Sequence, residues 1–271
     1  MTAFSTDGFL STEITEFEQA ITARYTRKLQ LAMETNRLTH QVIYAATPHN
    51  EHALDLMLAA LLVRQASAFQ GVLILLEKGL ETQAQILLRN LAEMLFITGA
   101  IRKDESFFNQ YVLAEDVSRL KSLEALAMDK QSRGEEIDEE TKKLIETLRK
   151  KIGKEKTSTF TTERIARIAG FSSYYDTLYR FTSMAVHASP RELNTVFELD
   201  SRGIVVSMKY GPVVEDLDVC LDYSTSMMLY ALHEIASHFK LDVIQEIERL
   251  QNLNAQFAGP PSQSAEAGRK Q

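Results

Sequence analysis

The sequence predicts an all-α protein, a multi-helix bundle of long antiparallel helices with one small β-hairpin insertion. Apolar residues recur at three- and four-residue steps over five long segments, whereas period-two alternation is confined to one short region. The connection at Lys78-Gly79 is short enough to require antiparallel neighbours. With 271 residues, 45% of them hydrophobic, the chain can bury a sizeable core.

The apolar periodicity places the helices along the chain. The predicted ranges are 11–46, 51–77, 81–101, 105–128, 162–169, 172–189 and 214–253. The helix at 81–101 is apolar nearly all round, which indicates the centre of the bundle. Pro190 ends the helix at 172–189, because a proline pushes the residue before it out of the helical region.

The remaining segments differ in composition from these helices. Residues 129–158 are dominated by charged side chains of mixed sign and are expected to form a solvated, partly helical excursion. Residues 195–210 alternate at period two around Asp200-Ser-Arg-Gly203, which predicts the β-hairpin. We expect one helical domain over 1–254 and a disordered tail over 255–271, which is rich in glycine, proline, serine and glutamine.

Charge and cysteine content restrict the class of protein. A formal net charge of −7 argues against a general, charge-driven nucleic-acid binder but leaves room for a local basic site. The single cysteine, Cys220, lies in an apolar stretch and is expected to be a small core residue. The chain begins without a recognisable signal peptide, and polar residues interrupt its most apolar window. We therefore expect a cytoplasmic protein that does not span a membrane.

Two polar lines stand out on otherwise apolar helices. Arg89 and Glu93 lie on one side of the central helix, where a charge costs several kcal/mol unless it is paired. The second line is a stripe on the helix at 172–189, formed by Asp176, Arg180, Ser183 and His187. His187 falls in the last turn, where the helix dipole favours the protonated imidazole. We expect the two lines to face each other.

Several motifs are absent, and the other histidines give no site. The chain has no phosphate-binding glycine loop and no cysteine pair of metal-binding spacing. His233 and His238 are five residues apart, so they point in different directions and are interpreted as structural or surface residues. His40, His49 and His52 show no carboxylate partner at a convincing spacing. No cofactor and no metal are expected.

Two sets of residues carry a resemblance to known families. Leu87-Leu-Arg89-Asn-Leu-Ala-Glu93, combined with Tyr179-x3-Ser183-x3-His187, is similar to a bacterial all-helical family of unknown function, over roughly residues 54–189. Arg180-x6-His187 resembles the Arg-x4–6-His signature of the HEPN superfamily (higher eukaryotes and prokaryotes nucleotide-binding), many of whose members are RNases. Phe181 stands where that superfamily usually has a polar residue.

The HEPN likeness implies metal-independent RNA cleavage in a homodimer cleft where two such motifs meet. Arg180 would bind the scissile phosphate and His187 would act as general acid or base. Tyr179, Ser183 and Asp176 would support this pair, and Arg89 and Glu93 would orient it. A toxin or phage-defence role is common in that superfamily and is carried over by analogy only.

Two other readings of the same residues remain open. One is a non-enzymatic helical binding or scaffold protein, in which the polar lines form a buried ion-pair network. The other is a small-molecule sensor that uses the same region. In either case Asp176 and Arg180 would form an i, i+4 ion pair worth about 0.3–0.5 kcal/mol.

Overall fold

The computed structural model describes residues 2–153, 160–180, 182, 193–194 and 196–257. Its helices are, in order, α1 (Ala3–Asp7), α2 (Ile14–Arg24), α3 (Thr26–Ala45), α4 (Ala53–Glu77), α5 (Glu81–Lys103), α6 (Glu105–Ser132), α7 (Glu139–Ile152), α8 (Thr162–Ala169), α9 (Ser172–Tyr174), α10 (Leu217–Phe239) and α11 (Ile244–Phe257). A 3₁₀ turn, Gly8–Leu10, follows α1, and a π-helical turn, Tyr175–Tyr179, continues α9. The strands are β1 (Phe197–Leu199) and β2 (Val205–Met208). The predicted all-α bundle with one hairpin is confirmed.

Helix α5 occupies the centre of the bundle, where it packs against α4, α8 and α10. Leu88, Leu91 and Leu95 on α5 are completely buried, and each such burial stabilises the fold by about 1.5–3 kcal/mol. The tight connection from α4 to α5 depends on Gly79, whose φ is +70°. A Cβ at this position would come within 2.5 Å of Pro212, so only glycine fits.

Two segments that the periodicity predicts as single helices are each divided in two. The segment 11–46 is interrupted at Tyr25, where the hydroxyl of Thr26 donates to the carbonyl of Thr22 at 2.7 Å and competes with the helical ladder. The segment 214–253 is interrupted at Lys240, which adopts the left-handed conformation with φ of 55°. The N–H of Leu241 then closes α10 by donating to the carbonyl of Ala236 at 2.9 Å.

Much of the charged segment 129–158 is helical. Helix α6 continues to Ser132, and α7 returns along it with Ile145 and Leu148 buried. An ion pair of 2.7 Å between Lys151 and Asp116 also joins the two helices. The amphipathic pattern of α7 thus supplies enough apolar surface for a helical hairpin, and residues 154–159 are outside the described part.

The hairpin and the residue Cys220 agree with the prediction, whereas the first residues of the predicted C-terminal tail do not. β1 and β2 pair antiparallel as predicted, and Cys220 is buried in the core. Residues 255–257 belong to α11 rather than to a disordered tail, and 258–271 are outside the described residues.

By length and composition alone α4 and α5 could each cross a membrane. However, 50% and 67% of their most apolar windows are buried in the bundle, so this is weak evidence for a span.

Candidate functional site

The segment that follows α8 carries the candidate site residues. Gly170, in the left-handed conformation, ends α8, and the chain then turns back over α5. The π-helical turn Tyr175–Tyr179 widens the helix by one residue, a feature that recurs at functional sites. It directs the side chain of Tyr179 inward, where the ring stacks on Tyr175 at 5.1 Å and lies 6.2 Å from Phe96.

Tyr179 meets the polar line of α5. The Nη2 of Arg89 donates to the Tyr179 hydroxyl at 2.6 Å, and that hydroxyl donates to Oε1 of Glu93 at 2.7 Å. The Nε of Arg89 completes the triangle by donating to the same Glu93 oxygen at 3.3 Å. The Arg89 guanidinium also lies 4.3 Å from the centre of the Tyr179 ring, within the range of a cation–π contact. We call Arg89, Glu93 and Tyr179 the Tyr179 network.

The electrostatics keep the Tyr179 hydroxyl protonated. Burial has the largest effect and raises the pKa of Tyr179; the hydrogen bond with Thr162 lowers it, the hydrogen bond and charge of Glu93 raise it, and the charge of Arg89 lowers it. A protonated hydroxyl is needed for the bond to Glu93. Among the described residues, the buried Nη1 of Arg89 finds no hydrogen-bond acceptor, which marks a point where a further acceptor would be stabilising.

The described part of the predicted stripe faces solvent. The side chains of Asp176 and Arg180 are 63% and 62% exposed, and their closest charged atoms are 3.7 Å apart. The Arg180 guanidinium also lies 5.5 Å from the ring centre of Tyr175. Arg89 and Glu93 therefore contact this segment through Tyr179, and the expectation that they face Asp176 and Arg180 is wrong.

The π-helical turn explains this difference. The predicted stripe assumes the regular α-helical rotation of 100° per residue. A π-helical turn, with its i to i+5 hydrogen bonds, has a smaller rotation per residue, so the side chains after it point in other directions. Ser183 and His187, the other two members of the stripe, lie outside the described residues. Of the seven predicted site residues, the structure brings together Arg89, Glu93 and Tyr179.

A pocket of about 240 Å³ adjoins the Tyr179 network between α5, α6 and α8. Its lining is mainly apolar and aromatic, but Glu93 and Glu115 add two carboxylates. Tyr111 lies in the same wall, and its pKa is raised by burial and then by the charges of Glu115 and Glu93. The pocket thus joins an aromatic surface to negative charge.

A second polar cluster lies near the C-terminal end of α5, and the sequence interpretation missed it. Asp55, in the first turn of α4, has its side chain only 10% exposed. One carboxylate oxygen of Asp55 is 2.9 Å from Nδ1 of His49 and 3.7 Å from Nδ1 of His52. The other oxygen is 2.7 Å from Nε2 of His238, whose Nδ1 is 3.0 Å from Nη1 of Arg102. We call these five residues the Asp55 cluster.

The Asp55 cluster corrects two interpretations. His49 and His52 do have a carboxylate partner, and His238, interpreted as a structural or surface residue, is hydrogen-bonded to that same carboxylate. The hydrogen bonds from His238 and then from His49 hold the pKa of Asp55 far below its ordinary value. The donor atoms of His49, His52 and Asp55 lie within 4.8 Å of one another, so this group could hold a metal ion. The three-residue spacing His49-x2-His52-x2-Asp55 was the sequence signal for it.

Comparisons with known proteins give a family but no function. No curated protein and no solved structure matches the chain. The model of a family of unknown function, DUF5677, matches residues 55–204, a range that contains Asp55, the whole Tyr179 network and Arg180. This agrees with the resemblance to an all-helical family of unknown function over roughly residues 54–189. Because the match covers more than half of the 271 residues, the chain belongs to the DUF5677 family.

Proposed function

We propose that this protein is a metal-independent endoribonuclease in which Arg180 binds the scissile phosphate and His187 transfers protons. The observation that carries the proposal is the position of Arg180. Its guanidinium is largely exposed and, among the described residues, contacts Asp176 through a loose ion pair and the ring of Tyr175 at 5.5 Å, so it is available to an anionic ligand. The segment that carries Arg180 is nevertheless fixed to the core helix by the adjacent Tyr179.

The spacing Arg180-x6-His187, which resembles the HEPN signature, supplies the chemistry of the proposal. The 2′-hydroxyl of the substrate attacks the neighbouring phosphorus and loses its proton to a base. The bond from phosphorus to the 5′ oxygen breaks, and that oxygen takes up a proton. His187 acts as the base or the acid, and Arg180 stabilises the charge that develops on the phosphoryl oxygens. A homodimer would place two such motifs in one cleft.

In this proposal the Tyr179 network has a positioning role. Arg89 and Glu93 hold the Tyr179 hydroxyl by two hydrogen bonds of 2.6 and 2.7 Å, and this fixes the backbone at the residue before Arg180. A fixed cation costs less entropy on binding the phosphate than a mobile one, which is the general advantage of preorganised sites. Arg89 and Glu93 need not touch RNA for their loss to slow the reaction.

A second candidate function is supported by the pocket beside the network. A non-enzymatic sensor would bind a small cationic organic molecule between the carboxylates of Glu93 and Glu115, with aromatic contacts from Tyr111 and Phe160. The pocket volume of about 240 Å³ suits a ligand of a few heavy atoms rather than a nucleotide. A scaffold role, with the network serving only stability, is the remaining alternative.

The proposal is tested by incubating the purified protein with total RNA in the presence of EDTA, beside a His187→Ala control. The endoribonuclease proposal predicts cleavage by the wild type that EDTA does not reduce and that the control lacks. Intact RNA with the wild type would reject the proposal. In that event, thermal-shift measurements with small amines, repeated on Glu115→Gln, would separate the sensor from the scaffold.

A further inference from the structure

We infer that His49, His52 and Asp55 form a binding site for a transition-metal dication, with Zn²⁺ as the best fit. The site belongs to the Asp55 cluster, and it does not depend on the proposed nuclease activity. Arg102 of this cluster and Arg89 of the Tyr179 network lie on the same helix, α5, at positions separated by about 20 Å along the axis. The two sites are therefore distinct.

The geometry of the three donor atoms is the first argument. The two Nδ1 atoms lie 2.9 and 3.7 Å from the same carboxylate oxygen of Asp55. A metal bonded at about 2.1 Å to each ligand would hold neighbouring donors roughly 3.0 to 3.4 Å apart, depending on the coordination geometry. These two separations bracket this range, and all three donor atoms lie within 4.8 Å of one another, so rotation of the two imidazoles can bring them around one metal ion.

The surroundings of Asp55 give the second argument. Arg102 donates to Nδ1 of His238, which leaves the proton of that ring on Nε2, where it donates to Oδ1 of Asp55. This hydrogen bond fixes the carboxylate and leaves its other oxygen facing His49 and His52. Ligating carboxylates in metal sites are commonly held by such a second layer of hydrogen bonds.

The net charge around Asp55 is the third argument for a bound metal ion. Asp55 is a largely buried carboxylate whose second layer holds one cation, Arg102, and Arg102 also lies 4.0 Å from the carboxylate of Glu234. With neutral imidazoles, the group therefore carries an excess of one negative charge. A dication bound to His49, His52 and Asp55 would reverse this excess, and a buried carboxylate favours such a counter-ion.

The donor set and its exposure select the kind of metal. Two imidazoles and one carboxylate suit Zn²⁺, Co²⁺ and related ions better than Mg²⁺ or Ca²⁺, which prefer oxygen ligands. The side chains of His49 and His52 are 71% and 68% exposed. The remaining coordination positions therefore face solvent, as in zinc sites that keep a position open for water or a substrate.

A rival reading assigns Asp55 a purely structural role. Its Oδ2 atom, the one that faces His49 and His52, also accepts the backbone N–H of His49 at 3.2 Å, which ties the loop before α4 to the first turn of that helix. Hydrogen bonding alone explains why Asp55 is placed there. It does not require the Nδ1 atoms of both His49 and His52 to turn towards a single oxygen, so metal affinity separates the two readings.

The test uses the full-length protein, freed of metal by a chelator and dialysed against Zn²⁺, with the bound metal measured by mass spectrometry. Titration with Co²⁺ gives a spectroscopic signature of imidazole ligation. We expect one equivalent of metal in the wild type and loss of that equivalent in the double variant His49→Ala/His52→Ala. The His238→Ala variant should bind about tenfold more weakly, as expected for a group in the second layer.

His233→Ala is the matched control, because it removes a histidine of α10 that lies outside the cluster, and it should bind metal as the wild type does. Circular dichroism should show an intact fold in the double variant, since both replaced side chains are exposed. Asp55→Asn provides a second check that keeps the size of the side chain. The inference is overturned if the wild type takes up no metal, or if the double variant retains the same Co²⁺ spectrum and stoichiometry.

Discussion

The Tyr179 network and the Asp55 cluster both include residues of α5, the network through Arg89 and Glu93 near its middle and the cluster through Arg102 in its last turn, but they are built in different ways. In the network, Arg89 and Glu93 are four residues apart on α5 and share one partner, Tyr179. In the cluster, His238 and Asp55 are far apart in the chain and meet only in the folded protein. Helical periodicity reveals the first kind of site, whereas the second kind has to be read from the fold.

Replacing Asp55 should cause the largest loss of stability in this comparison. Asp55→Ala leaves His238 and Arg102 without the carboxylate that orients them, and we expect a decrease of about 3 kcal/mol in the free energy of unfolding. Urea denaturation of the metal-free protein measures this decrease in the free energy of unfolding. The His49→Ala/His52→Ala double variant, which removes exposed side chains, should lose less than about 1 kcal/mol. Equal losses in the two variants would contradict this difference between the buried part of the cluster, formed by Asp55, His238 and Arg102, and its exposed part, formed by His49 and His52.

Removing Glu93 should cost somewhat less, about 2 kcal/mol. Glu93→Ala takes the counter-ion from Arg89, whose side chain is 16% exposed, but Glu93 itself is 37% exposed and partly screened. Asp176→Ala is the matched control, because it breaks an exposed i, i+4 pair and should cost less than about 0.5 kcal/mol. If the two variants unfold at the same urea concentration, the Tyr179 network does not anchor the segment that carries Arg180.

Another charged residue of α5, Glu81, should produce the smallest effect on stability and a distinct dependence on pH. Burial raises the pKa of Glu81 to about 7, although the N–H of Asp216 donates to it at 2.8 Å. Between the ordinary value of 4.5 and about 7 the folded protein binds more protons than the unfolded chain. The free energy of unfolding therefore falls as pH rises through this window.

The Glu81→Gln variant should remove that dependence, because its amide does not ionise and its oxygen can still accept the N–H of Asp216. At pH 8 we expect the variant to be more stable than the wild type by about 1–2 kcal/mol, with little difference at pH 4.5. Thermal unfolding measured across this range tests the expectation. Parallel pH profiles for the two proteins would contradict this expectation, because they would show that the pKa of Glu81 is the same in the folded and unfolded chain.

The fold could be predicted from the sequence because its main signals are local. The apolar periodicity of α4 and α5 and the turn at Gly79 give the central hairpin. The breaks at Tyr25 and Lys240 could not be predicted in this way, since the amphipathic pattern continues across both of them. A hydroxyl that competes for backbone carbonyls and a lysine in the left-handed conformation decide these positions.

The candidate site could be predicted only in part, for a related reason. The sequence identifies Arg89 and Glu93 as charges on a central helix, and the resemblance implies a supporting role for Tyr179. The π-helical turn changes which side chains face α5, and regular helical geometry does not predict such a turn. The partnership of Asp55 with His238 joins the start of α4 to the end of α10, so it leaves no periodic pattern.

In the proposed nuclease, Arg180 and His187 promote attack of the 2′-hydroxyl of the RNA on the neighbouring phosphorus. The most direct measurement uses an end-labelled oligoribonucleotide in EDTA, and a second one with a single 2′-deoxynucleotide at the cleaved position. Arg167→Ala, which removes an exposed arginine of α8, is the control for a general loss of positive charge.

We expect the wild type and the control to cleave the all-ribose strand and leave a 2′,3′-cyclic phosphate. The deoxy substitution should block the cut. Arg180→Ala should lower the rate by about 10²–10³ and His187→Ala by about 10²–10⁴. Cleavage of both strands alike, or equal rates in the wild type and in the Arg180→Ala and His187→Ala variants, would contradict the account.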